Sequence, residues 1–276
     1  MQEQDKKHNK APTFISVVNQ KGGVGKTTTV LNLATTVAAS GKKVLILDLD
    51  AQGNASTGLG ILLEQRKLSS YDVLIANENI QNVIKKTNIE NLFIMPANQD
   101  LSSIDMNLAE IEKKASILKN SFKNTMVDLP NFDYVFMDCP PALNMLTVNA
   151  LVLSNFIIIP LQTEFFALEG LSQLMITIKE IRNTLNKQLK ILGVLLTMYD
   201  KRNNLSLQIE EDVRSTLNDL VFKTIIPRNV KLSEAPSFSL PGVLYDQKCL
   251  GSIAYQKLTA EFFNREKRYF SKGALT

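Results

Sequence analysis

The sequence predicts an α/β protein: a doubly wound, mostly parallel β-sheet with helices on both faces. Short apolar runs of strand length alternate with longer amphipathic segments along nearly the whole chain. The runs are apolar at successive positions, the pattern of strands buried on both faces. Acidic or glycine-containing turns close several of them, and ligands in such sheets bind beyond the carboxyl ends of the strands.

Taken in order, "FISVVN" (14–19) is rich in β-branched residues and reads as a buried strand. A glycine-rich turn follows. Then "KTTTVLNLATTVAAS" places Val30, Leu33, Ala34 and Val37 at helical spacing, and Gly41 stops the helix. "KVLILDLD" (43–50) is the second strand. "NLFIMP" (91–96), "DYVFMD" (133–138), "NFIIIPL" (155–161), "KILGVLLTM" (190–198) and "VFKTIIP" (221–227) are expected to be strands as well. Helices are expected between most of them, including one over "LSSIDMNLAEIEKKASILKN" (101–120) and a last one over 252–265. Strands joined in this way cross over in the right-handed sense. No linker divides the chain, so residues 13–276 read as one domain behind a flexible polar tail, residues 1–12.

Composition narrows the function classes. Apolar residues make up 45% of 276, enough for a full core and against global disorder. A formal charge of +4 is compatible with a polyanionic partner but weak alone. Cys139 and Cys249 lack metal-type spacing, which fits a reduced, cytoplasmic protein. The single histidine, His8, lies in the polar start, against histidine-based catalysis. That start lacks the apolar centre of a signal peptide. No apolar run reaches the roughly 18 to 20 residues of a membrane span.

Chemistry concentrates at Val17–Thr29, "VVNQKGGVGKTTT". A strand, glycines, then Lys-Thr at a helix start is the context of a phosphate loop. Gly22, Gly23 and Gly25, with Val24 between them, let backbone N–H groups curl around phosphate oxygens. Lys26 is placed to reach the β- and γ-phosphates, and the Thr27 hydroxyl to meet Mg²⁺, with Thr28 beside it. Gln20 stands where the usual motif has its first glycine, and Lys21 adds an early lysine. Written as K-G-G-x-G-K-T, the motif resembles the deviant Walker A ATPases of the ParA/MinD/nitrogenase-iron-protein superfamily.

That resemblance spans residues 13–265. It implies ATP and Mg²⁺ as ligands and a nucleotide-sandwich homodimer when ATP is bound. Within that dimer, Lys21 reaches the phosphates held by the other subunit. Asp48 and Asp50 close the second strand and Asp138 closes "YVFMD"; carboxylates there are costly unless cations or water meet them. The resemblance assigns Asp50 to positioning the attacking water, Asp48 to supporting Mg²⁺, and Asp138 to the Walker B place. It puts Met198, Pro227 and Asn229 at the adenine.

"DCPPALNMLTVNAL" and "IIPRNVKLSEAPSFSLPGVLYD" look like the chromosomal ParA (Soj) branch. This branch implies a cytoplasmic, nucleoid-associated protein with weak basal ATPase activity. Its partners are non-specific double-stranded DNA and a ParB-type centromere-binding protein that stimulates hydrolysis. Candidate DNA contacts are Arg202, Arg228, Lys231, Lys248 and Lys257, with Arg202 and Lys231 at positions the family uses. Two alternatives stay open: a MinD-like or cargo-positioning ATPase cycling on a membrane or other surface, and a metabolic ATPase or synthetase sharing the loop. Membrane binding is not expected, because Ile253, Leu258, Phe262 and Phe263 suit core packing.

Overall fold

The computed structural model describes residues 11–125 and 131–273. Most of the expected N-terminal tail, residues 1–10 with His8, lies outside the described residues. Among the described residues seven strands form one sheet: β1 (Thr13–Val17), β2 (Val44–Asp48), β3 (Lys85–Lys86), β4 (Leu92–Met95), β5 (Tyr134–Asp138), β6 (Phe156–Gln162) and β7 (Lys190–Thr197). The spatial order is β3-β4-β2-β5-β1-β6-β7. All pairings are parallel except the short β3–β4 edge, which is antiparallel.

Burial confirms the two-sided reading. Every residue of β1, β2 and β5 is buried. Alternate side chains feed two cores. Phe14, Leu45, Leu47, Val135 and Met137 pack beneath the helices Met145–Leu153 and Ala167–Thr184. Ile15, Val17, Ile46 and Phe136 face the Lys26–Ala39 helix and the long Leu250–Gly273 helix. Leu258 and Phe262 are wholly buried there, as expected of packing residues; Ile253 and Phe263 are half-buried.

Two expected elements do not form. The 101–120 segment is broken into a 3₁₀ turn (Gln99–Ser103), a short helix (Ile104–Asn107), a second 3₁₀ turn (Lys114–Ser116) and a helix (Ile117–Thr125). Leu101, Ile104 and Leu108 keep helical spacing into the core, but Ile111 falls on the exposed side. Lys113 then takes a left-handed conformation, and Asn149 bonds both Leu118 N and Lys114 O. The chain thereby restarts in a new phase that buries Leu118 and Phe122.

The second is "VFKTIIP". It runs beside β7 and bonds it at Phe222 N to Val194 O and Ile226 N to Leu196 O, both 2.9 Å, without becoming a strand. Between those points the Lys223 and Thr224 N–H groups donate to the Glu261 carboxylate instead (2.8 and 2.9 Å). Pro227 has no N–H to continue the ladder.

Candidate functional site

Register brings three strand ends together. Val17 of β1 lies beside Asp138 of β5, and Asp138 beside Asp48 of β2. The turn leaving β1 must therefore pass over two carboxylates. Gly25 caps the Lys26–Ala39 helix with φ 86°, a conformation that any Cβ would strain. The helix start presents unpaired N–H groups and partial positive charge to the turn.

Lys26 is buried, and its Nζ donates to the Lys21 carbonyl at 2.9 Å. Burial lowers its pKa, while Asp138 opposite favours the charged form. Asp138 is fully buried, and among the described residues neither of its oxygens has a well-formed hydrogen bond. Burial, then the Asp48 carboxylate, push it well above the ordinary range; the nearby Thr27 hydroxyl offsets part of this. An orphaned carboxylate beside an ammonium and a threonine hydroxyl fits a hydrated divalent cation bound with a polyphosphate.

Asp48 is held differently. Its Oδ2 accepts from Ser56 N (2.8 Å) and Ser56 Oγ (2.6 Å), and its Oδ1 from Asp50 N (3.3 Å). Burial still pushes it up, to about 6. β2 ends at Asp48, so Asp50 stands in the following turn, half-buried, with Oδ1 accepting from Gln52 N at 3.0 Å. Asp50 is thus the carboxylate of the three with access to solvent.

A cleft of about 340 Å³ opens beside Gly25 and Thr28, with Met198, Pro227 and Asn229 on its wall. The residues expected at the base are thus brought to one place. Met198 reaches it through a left-handed backbone (φ 50°) just past β7. Asn229 caps the short Val230–Glu234 helix through its Oδ1, which accepts from Lys231 N at 2.9 Å. Its amide nitrogen makes no hydrogen bond among the described residues. Tyr255, from the last helix, lines the same cleft with its hydroxyl against Thr29 Oγ1 (3.1 Å). Nothing in local sequence marks Tyr255 beyond a helical position.

Residues 12–191 match the family model described as an AAA domain. The chromosome partitioning protein ParA of Caulobacter vibrioides is 48% identical over 260 residues, 94% of this chain and 97% of that protein. The sporulation initiation inhibitor protein Soj of Bacillus subtilis is 45% identical, over 90% and 97% of the two chains. This chain belongs to the ParA/Soj family. Solved structures agree on the fold. Cobyrinic acid a,c-diamide synthase from Mycobacterium smegmatis, with bound ADP and magnesium, superposes with TM-score 0.80 at 31% identity, covering 93% and 96% of the chains. The septum site-determining protein MinD from Pyrococcus horikoshii, complexed with Mg-ADP, gives 0.74 at 25% identity, covering 91% and 96%.

In this ParA/Soj chain the two lysines of the turn sit differently. The Lys21 side chain is nearly half-exposed at the rim and pairs with Glu164, which follows β6. Lys26, by contrast, is buried with its ammonium on the turn. Glu164 was not expected from sequence, because 143 positions separate the two residues. The basic residues fall into groups. Arg202 and Arg228 surround Asp200; Arg202 donates to it at 3.0 and 2.8 Å and holds its carboxyl low, at about 2. Lys231 and Lys248 line one open depression with Tyr245 and Asp246, and Lys231 pairs with Glu234 at 2.9 Å. Lys257 stands apart, exposed on the last helix. No helix among the described residues is long and apolar enough to cross a membrane.

Proposed function

We propose that this chain is an ATP-dependent DNA-segregation switch, and that residues 13–276 act as one domain. The observation that carries this is the division of labour between two lysines. Lys26 lies in the cradle of its own chain, while Lys21 points to the rim and meets Glu164. A rim lysine can serve the phosphates of a second copy, as an arginine finger given in trans does. Mg²⁺ bound with ATP supplies charge neutralisation at the β- and γ-oxygens.

The chain's own groups do the rest. The turn Gly22–Gly25 and the helix start orient the phosphates. Thr27 and Asp138 hold the hydrated cation, and Asp48 braces the turn that carries Asp50. Asp50, the accessible carboxylate, orients the attacking water. Met198, Pro227 and the Asn229 amide seat adenine. Two copies closing face to face present the loops bearing Arg202, Arg228, Lys231 and Lys248 to duplex DNA, and Lys257 adds charge at their flank. A ParB-type partner stimulates a weak basal hydrolysis, which opens the dimer and releases DNA. The protein works in the cytoplasm on the nucleoid.

Duplex-DNA binding measured with ATP, with ADP and without nucleotide, across a salt series, tests this reading. Binding that needs ATP and weakens steeply with salt is expected. Binding to anionic liposomes with ATP, and none to DNA, favours a MinD-like cycle instead. The likeness to a diamide synthase supports a second reading, an amidating synthetase. ATP turnover that requires a carboxylic acid co-substrate would replace the partition reading with that one.

A further inference from the structure

Arg66 ends the 3₁₀ turn Leu63–Arg66 and is 4% exposed, which is rare for a guanidinium with no ion-pair partner among the described residues. Its hydrogen bonds all go to one segment, Gly53 to Ile61, which wraps the short helix Asn54–Gly58. Nε donates to the Ile61 carbonyl (3.0 Å), Nη1 to the Gly53 carbonyl (3.2 Å), and Nη2 to Thr57 Oγ1 (2.9 Å) and again to the Ile61 carbonyl. Gly53 has φ 61°, and a Cβ there would stand 2.5 Å from Arg66 Nη1. The segment and the guanidinium are shaped to each other.

The turn leading into this segment carries Asp50. Gly53 N donates to Asp50 O (2.8 Å), closing the turn in which Asp50 Oδ1 accepts from Gln52 N. Further on, Ser56 ties the segment to Asp48. The turn is therefore pinned at two points, by Asp48 from β2 and by Arg66 from outside the sheet. Burying an unpaired charge is costly. What offsets it here is the field of Asp48, which favours the charged guanidinium, and three acceptors in fork geometry.

We propose that Arg66 is the positioning residue for Asp50: its fork fixes the 50–61 segment in hydrolytic geometry within the single chain, before nucleotide arrives. The inference rests on the reading of Asp50 as the residue that orients water. On this view the controlled event is the approach of a second copy, not the ordering of the Asp50 turn.

The test compares Arg66→Lys, Arg66→Ala, Thr57→Ala and Asp50→Ala in single-turnover ATP cleavage with Mg²⁺, together with amide exchange. Arg66→Lys keeps the charge and loses the fork. A turn displaced by about 1 Å lowers the cleavage rate roughly 10- to 100-fold. Nucleotide affinity, read with a fluorescent ADP analogue, stays within about threefold, because the phosphate cradle is untouched. The Thr57, Gly60 and Ile61 amides exchange faster in the variant; in the wild type they are equally protected with and without ATP. Added guanidinium ion restores part of the rate to Arg66→Ala and none to Asp50→Ala. Thr57→Ala, which removes one acceptor, lowers the rate less and serves where Arg66→Ala does not fold. Cleavage rates of Arg66→Lys and Thr57→Ala within about twofold of wild type overturn the proposal. If Asp50→Ala itself cleaves ATP normally, the reading of Asp50 falls first.

Discussion

Replacing Glu261 tests how the last helix is fastened to the sheet edge. Its carboxylate accepts from Lys223 N (2.8 Å) and Thr224 N (2.9 Å) and pairs with Arg265 (3.0 Å). Arg265 in turn donates to the Leu192, Leu220 and Val221 carbonyls and lies 4.2 Å from the Phe222 ring centroid. Side-chain exposures of 13% and 16% make this a mostly buried pair. Each bond to the charged carboxylate contributes about 1.5 kcal/mol or somewhat more. Water reaches Lys223, so the loss there is partial. Glu261→Ala is therefore expected to destabilise the fold by about 3 kcal/mol, near the lower end for a broken buried pair.

Urea unfolding followed by circular dichroism measures this directly. Burial works against the Glu261 charge, but the two backbone N–H groups and Arg265 outweigh it and hold the pKa below the ordinary value. A depressed carboxylate stabilises above its unfolded pKa of about 4.3 and stops doing so as pH falls through the folded value. The gap between wild type and Glu261→Gln should thus be full at neutral pH and narrow below about pH 4. A loss under about 0.5 kcal/mol at neutral pH, or a gap that does not change with pH, refutes the fastening argument.

Lys21→Ala should keep nucleotide binding and lose hydrolysis; unchanged turnover in a phosphate-release assay returns Lys21 to an ordinary surface lysine. Asp50→Ala is expected to accumulate an ATP-bound dimer that stays on DNA, seen by light scattering and filter binding, and fast release would contradict the water-positioning role. Arg202→Ala with Lys231→Ala should flatten the salt dependence of DNA binding by about 1 in the log–log slope for each contact removed. An unaltered slope places DNA elsewhere on the surface.

Much of the candidate site's geometry was legible because its parts are local in sequence. The glycines, Lys26 and Thr27 follow one strand directly, and Asp48 and Asp138 each end an apolar run, so strand register alone brings them together. Met198, Pro227 and Asn229 likewise follow β7 and the segment beside it. What escaped depends on partners distant in the chain. The 221–227 run has strand-like composition, but Glu261, more than 30 residues on, takes its central N–H groups. The 101–120 helix is interrupted where Asn149 offers its own bonds. Arg66 sits in an unremarkable polar stretch, "EQRK", and nothing in local spacing distinguishes its buried fork from a solvated surface charge.

The bond from Lys26 Nζ to the Lys21 carbonyl couples the two lysines mechanically. The ammonium of one holds the main chain of the other, so the residue whose side chain meets Glu164 at the rim is tethered from within by the residue buried behind it. Removing the Lys26 ammonium therefore also frees the Lys21 main chain, so a change made in the buried lysine is felt at the exposed one.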